Sequence, residues 1–326
     1  MKKITTILLL FFLFTLTTFA DTLLIEPDEG RTPILNAIHN AHSIDLVMYG
    51  FTDPTFIDAL IQAKNSGKNV NILLEPLPYK NANENIFALK RLKKADIHLL
   101  SPNPDFQLTH QKTFIFDHKK ALIMTLNLTR SSFQNQRNFG IWIEDPAMIS
   151  EIENVLQNDA KHQKTSVTEH NLVWSPDTSR EKILHFIQAA KSSIKMYAQD
   201  VSDYQIVGAL AKASRRGVKV ELLVDKYSEQ KRYDFLKKSN VNICFEHPYQ
   251  IHAKVIIIDQ KEALLGSINF TKPSLNKNRE LSIITKDPLV IQGLLDTFQK
   301  DRQCGKIKIT ENNMRYLNSI LHDLLK

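Results

Sequence analysis

One half of this chain is written again in the other half, and that repeat constrains the fold more than any single motif. Ser43, Ile44, Leu46, Ala59, Leu60, Ala63, Gly67, Val70 and Leu73 recur as Ser193, Ile194, Met196, Ala209, Leu210, Ala213, Gly217, Val220 and Leu223. Each pair lies 150 positions apart (217 against 67, for example). A repeat of this length is a whole folding unit rather than a short solenoid module. Both copies read as helix, strand, second helix, glycine stop and strand. Pro54 suits the first turn of a helix running to Lys64, and Gly67 suits its C-terminal stop. The short apolar runs at 70–74 and 218–224 read as strands, as does 194–198 after a helix carrying Ile183, Ile187 and Ala190. Strands alternating with helices predict an α/β fold, one sandwich per half. Residues 147–182 read as a helix followed by a polar linker containing Pro176. The boundary is therefore placed near residue 170, giving halves over 21–170 and 171–326, with an amphipathic helix expected over 312–325.

Each half also carries the string His-x-Lys-x4-Asp. The first is His110, Lys112 and Asp117; the second is His252, Lys254 and Asp259. One such match is modest, but two at equivalent places in a repeat point to chemistry. On a strand, residues two apart face one side, so His and Lys can converge on one phosphate. Asp falls at the strand end, where it suits a turn better than direct catalysis. Downstream, Thr125 and Asn127 follow the first motif as Ser267 and Asn269 follow the second, at the same distance. Gln136-Arg137-Asn138 then parallels Asn278-Arg279-Glu280. Asn127 and Asn269 also fit glycosylation sequons, read as incidental because both lie inside the repeated block.

The paired motifs, each followed by an Asn in a Gly-Ser-x-Asn-like segment, resemble the phospholipase D superfamily over nearly all of residues 30–300. The resemblance implies two α/β halves related by a pseudo-two-fold axis, with one active site at their interface. It implies metal-independent cleavage of a phosphodiester through a covalent phosphohistidine, no cofactor, and a catalytic set of His110, Lys112, Asp117, His252, Lys254 and Asp259. The physics agrees with that expectation. A phosphodiester is anionic, so attack needs positive charge around its nonbridging oxygens. Lys112 and Lys254 would supply it, with Asn127 and Asn269 donating hydrogen bonds and Thr125 and Ser267 as further substrate contacts. One neutral imidazole attacks phosphorus while the other, protonated, donates to the leaving oxygen. Glu280, expected to orient His252, would keep that ring charged as the acid and leave His110 as nucleophile. Met124 replaces the glycine found at 266, and Asn138 replaces the acid found at 280, which would make the first half-site less open or partly degraded.

The remaining features bear on location and substrate. Lys2 and Lys3, an uncharged run over 4–19 and Ala20 follow the order of a secretory signal, with an uncleaved anchor as the alternative. Export, secreted or periplasmic, is therefore expected. Cys244 sits in an apolar stretch, so a buried free thiol is the favoured reading for it, although export would permit a disulfide with Cys304. The formal charge of +7 and pI near 9.2 favour anionic partners without choosing among them. The leading expectation is a phospholipase D releasing headgroups at a phospholipid or membrane surface. The alternatives are a metal-independent nuclease, a phosphatidyltransferase of the cardiolipin synthase type, and a non-enzymatic phosphate-binding module. A monomer is expected, since one chain holds both motifs. No metal-ligand pattern stands out. Tyr79, Lys80, Phe106, Lys226 and Tyr227 are candidates for the substrate entrance.

Overall fold

The computed structural model of the protein describes residues 20–78, 83–225 and 233–304. The expected signal run, the helix expected over 312–325, and Tyr79, Lys80, Lys226 and Tyr227 lie outside the described residues. The first half runs β1 (Thr22–Glu26), α1 (Thr32–Asn40), β2 (Ser43–Met48), α2 (Pro54–Asn65), β3 (Asn69–Leu74), α3 (Ile86–Lys94), β4 (His98–Leu100), β5 (Thr113–Phe116), β6 (Lys120–Met124), β7 (Gln136–Ile143) and α4 (Pro146–Ala160). The second runs β8 (Leu172–Ser175), α5 (Ser179–Ala189), β9 (Ser193–Ala198), α6 (Tyr204–Arg215), β10 (Lys219–Val224), α7 (Asp234–Lys238), β11 (Asn242–Cys244), β12 (Gln250–Ile251), β13 (Lys254–Ile258), β14 (Glu262–Gly266), α8 (Lys272–Asn276), β15 (Glu280–Thr285) and α9 (Pro288–Asp301).

Among the described residues each half is one mixed sheet, ordered β1-β7-β6-β5-β2-β3-β4 and β11-β10-β9-β13-β14-β15-β8. The motif strands β5 and β13 are central in their sheets and run antiparallel to β2 and β9. Both sheet faces are covered, which is why these strands read as unbroken apolar runs. Ile115, Val255 and Ile257 point into a core shared by the two sheets, with α4 and α9 packed in it. Phe114 and Phe116 on one side, Ile256 and Ile258 on the other, point into outer cores beneath the flanking helices.

The repeat extends to the helix caps. Asp53 and Asp203 accept backbone N–H groups at the starts of α2 and α6, and Asp145 and Asp287 do the same for α4 and α9. Two expectations need correction. Residues 172–175, taken as linker, form the edge strand β8 paired with β15, and the chain turns at Pro176 only after it. Cys244 is not a free thiol: it is disulfide-bonded to Cys304. That bond ties the end of α9 back to β11.

Candidate active site

The two histidines are delivered by backbone pairing that crosses between the halves. His110 N–H donates to the carbonyl of Arg279 at 2.9 Å, and Arg279 N–H donates to Leu108. The reciprocal arrangement pairs β12 with the start of β7, where His252 N–H donates to the carbonyl of Arg137 at 3.2 Å. Each motif is therefore fixed against the residue immediately before the other half's position 138 or 280.

Those positions hold the imidazoles. His110 Nδ1 lies 2.7 Å from Glu280 Oε2, and His252 Nδ1 lies 2.8 Å from Asn138 Oδ1. Glu280 therefore orients His110, not His252 as its sequence position suggested. A carboxylate can only accept, so the His110 contact is Nδ1–H donating and Nε2 keeps its lone pair. The Asn138 amide is set in the same sense, its Oδ1 also accepting from the Thr125 hydroxyl at 2.9 Å. His252 thus also presents Nε2 to the site.

Two lysines complete the charge. Lys112 and Lys254 are fully buried; Lys112 Nζ donates to the carbonyl of His110 at 2.7 Å, and Lys254 Nζ donates to Gln199 Oε1 at 2.9 Å and to the carbonyl of His252. Lys112 also lies 5.0 Å from the Tyr49 ring centre, and that ring meets His110 edge-on. Burial pushes His110 down to about 4 and Lys112 down to about 7. Burial, with Lys112 nearby, holds His252 and Lys254 well below their ordinary values. Burial works against charge on Glu280 as well, but His110 and Lys112 keep its carboxyl below the usual range. The empty site thus resists carrying its full positive charge, and a bound phosphate anion relieves that resistance.

Several candidates have other duties. Asp117 accepts the backbone N–H groups of His42 and Ser43, and Asp259 accepts those of Lys191, Ser192 and Ser193. These bonds depress both carboxyls against the effect of burial, Asp259 to about 2. The pair closes turns at the far ends of the motif strands, with the length of those strands between them and the histidines. Thr125 and Ser267 are fully buried and accept the N–H groups of Phe139 and Leu281, bracing the strands that follow each motif. Glu280 is likewise fully buried and positions His110. Asn127 Oδ1 accepts Gly50 N–H at 3.2 Å, whereas Asn269 faces a cavity beside His110. Phe106 stacks on the Arg279 guanidinium, 4.0 Å away.

Met124 is accommodated by the strand opposite it. It pairs with Gly140 across β6 and β7, whereas Gly266 pairs with Ser282 across β14 and β15. The glycine has changed strands. At 266, with φ +156°, a Cβ would sit 2.4 Å from the Leu281 carbonyl oxygen. Met124, opposite a glycine, fills the outer core.

The sequence reading overlooked two buried ion pairs that join the halves. Arg137 Nε lies 2.7 Å from Asp301, and Arg279 Nε lies 2.7 Å from Asp159. Both arginines and both aspartates repeat at the motif's own offset of 142 (279 against 137, 301 against 159), which was the available signal. Among the described residues, ligand-type atoms of Asp45, His118 and Glu153 come within 4.8 Å of one another. That group adjoins the Asp117 turn, not the histidines.

Comparison with known proteins places this geometry. Residues 34–160 and 183–302 each match the family described as cardiolipin synthase, PLD-like domain. Cardiolipin synthase B of Salmonella typhimurium is 23% identical over 315 residues, covering 85% of this chain and 72% of that protein. Phospholipase D of Rickettsia conorii is 34% identical over 120 residues, covering 36% of this chain and 60% of that protein. The crystal structure of phosphatidylserine synthase from Haemophilus influenzae superposes with a TM-score of 0.66 at 12% identity, covering 86% of this chain and 85% of that one. No helix among the described residues is long and apolar enough to cross a membrane.

Proposed function

We propose that this chain, which belongs to the phospholipase D-like superfamily, transfers the phosphatidyl group of a glycerophospholipid to an alcohol through a covalent intermediate on His110. The observation that carries the reading is the pair of imidazoles, one from each half, each held through Nδ1 by a residue of the opposite half. His110 Nε2 attacks phosphorus, and the bond to the leaving alkoxide breaks as His252 gives that oxygen a proton. An incoming alcohol then loses its proton to His252 and takes the phosphatidyl group from His110. The partners divide the labour. Glu280 stabilises the positive charge that the His110 ring gains when it bonds phosphorus. An amide gives the His252 imidazolium less support, so that ring surrenders its proton more readily. Lys112 and Lys254 neutralise the nonbridging oxygens throughout.

Transfer is preferred to hydrolysis because a relative matched over 85% of this chain is a cardiolipin synthase, whereas the phospholipase D match covers about a third of it. Water as acceptor would turn the same site into a phospholipase D. Export is part of the proposal, supported by the Cys244–Cys304 disulfide, which a reducing cytosol disfavours. The test incubates the purified protein with phosphatidylglycerol vesicles, EDTA and ethanol. Phosphatidylethanol and free glycerol, both lost in His110→Ala, support transfer. Phosphatidic acid alone would make the protein a hydrolase, and no product from any phospholipid would reject the lipid reading.

A further inference from the structure

Among the described residues six large apolar side chains are exposed, and three of them fall together between the end of β3 and the first turn of α3: Leu77 at 64%, Ile86 at 37% and Phe87 at 58%. A single exposed apolar residue needs no account, but a group in one place does. Two buried side chains fix this group beside the site. Asn85 Nδ2 donates to the carbonyls of Tyr49 and Glu75, and its Oδ1 accepts the Phe51 N–H at 2.8 Å. The start of α3 is thereby pinned just past the ends of β2 and β3. Glu75 completes the frame: one carboxylate oxygen accepts the Leu77 N–H at 3.1 Å, and the other accepts the N–H of Thr109, the residue before His110, at 2.7 Å. Tyr49 meets the His110 ring edge-on and lines the cavity beside it. The apolar group therefore stands at the rim of the catalytic pair, on the His110 side.

The rest of α3 adds charge in a particular place. Its buried residues are Ala88 and Leu92, and the opposite face carries Ile86, Phe87, Lys90, Lys93 and Lys94, all exposed. The helix has no acidic residue, and Arg91, at the margin of that face, is held by Asp58. With a rise of about 1.5 Å per residue, the three lysines stand about 5–11 Å along the axis from the apolar turn. Apolar tips with ammonium groups at that height match the boundary of a bilayer, where acyl chains lie below the phosphates. The second half repeats the pairing in the equivalent helix α7, where exposed Phe235 precedes exposed Lys237 and Lys238.

We propose that Leu77, Ile86 and Phe87 dock the protein on an anionic phospholipid bilayer, with Lys90, Lys93 and Lys94 meeting the headgroup phosphates, so that the membrane surface is brought to the mouth of the site. The proposal deepens the phosphatidyl-transfer reading and rests on it for the choice of a bilayer as the occupant. A phospholipid lifted into water would expose its acyl chains, whereas docking at this rim leaves them in the bilayer while the phosphate approaches His110.

The test reads position in the membrane, independent of turnover. The two native tryptophans, Trp142 and Trp174, are buried, so Phe87→Trp supplies a reporter. Leu289→Trp supplies a control, at an exposed position in the first turn of α9, past the end of β15 opposite Glu280. Both proteins are mixed with vesicles of phosphatidylcholine brominated on its acyl chains, with or without phosphatidylglycerol. The Phe87→Trp fluorescence should shift to the blue and be quenched, at about tenfold or more lower lipid concentration when phosphatidylglycerol is present. Adding Lys90→Gln, Lys93→Gln and Lys94→Gln should remove that advantage, and Leu289→Trp should not respond. No quenching of Phe87→Trp, or equal quenching at both positions, would overturn the proposal. So would a blue shift without vesicles that grows with protein concentration, which would give the face to a second copy of the chain. In activity, Leu77→Gln/Phe87→Gln should slow turnover of vesicle lipid about tenfold and spare monomeric short-chain phosphatidylglycerol; equal slowing on both would count against docking. If neither lipid is turned over while Phe87→Trp is still quenched, the transfer reading fails and docking stands.

Discussion

Glu280 Oε2 lies 2.7 Å from Nδ1 of His110, although 170 residues separate the two in sequence. The second half thus supplies the residue that orients the first half's histidine. Asn138 does the same for His252 in the opposite direction. Neither motif is complete within its own half.

Replacing Glu280 by Gln removes the negative charge and lets the partner donate as well as accept, which frees His110 to take the wrong tautomer. The expected outcome is a fall in kcat of about a hundredfold or more with little change in KM. Steady-state kinetics on a short-chain phosphatidylglycerol checks it. An equal loss confined to KM would contradict the assignment.

Asn138→Asp places a carboxylate beside His252. A nearby negative charge favours the imidazolium, so the His252 pKa rises. If His252 is the acid, the alkaline limb of kcat against pH, where that proton is lost, moves to higher pH. A pH–rate profile reads the shift, and movement to lower pH would argue against the role.

Phosphate binding should take up protons. Burial depresses His110 to about 4 and Lys112 to about 7, so above pH 7 the empty site holds fewer protons than the free side chains would. An anion favours the protonated forms, and its affinity should weaken as pH rises past 7. Calorimetry of inorganic phosphate in two buffers of different ionisation enthalpy measures the uptake. No proton linkage between pH 7 and 9 would show that the site is already fully charged.

How much of this was legible follows from what a repeat can and cannot report. The 150-residue periodicity was enough for the α/β halves and the paired motifs for the His and Lys candidates, while one shared site was implied only by the family resemblance those motifs carry. They did not reveal that positions 138 and 280 serve the opposite half, because a repeat in one dimension does not say which copies touch. Local logic put Glu280 with His252, on its own side. Met124 looked like a loss because its compensation, Gly140, lies on a different strand. Asp117 and Asp259 travel with the motif for a structural reason, holding the turns that end its strands. The Cys244–Cys304 bond was invisible because apolar neighbours suit a free thiol as well as a disulfide.

The crossed ion pairs give a stability prediction. Arg137→Ala leaves Asp301 buried and, apart from the Tyr197 hydroxyl, without its partner, which should cost about 3–5 kcal/mol. Arg279→Ala should act similarly through Asp159. Chemical denaturation measures both, and a loss below about 1 kcal/mol would mean that the pairs do not lock the halves together.

The most direct test of the central claim is to trap the intermediate. The protein is reacted briefly with a phosphatidyl donor, quenched under alkaline conditions that preserve phosphohistidine, digested and mapped by mass spectrometry. The account predicts an adduct on His110, accumulating when His252→Ala slows its release and absent in His110→Ala. An adduct on His252, or full turnover by His110→Ala, would contradict it.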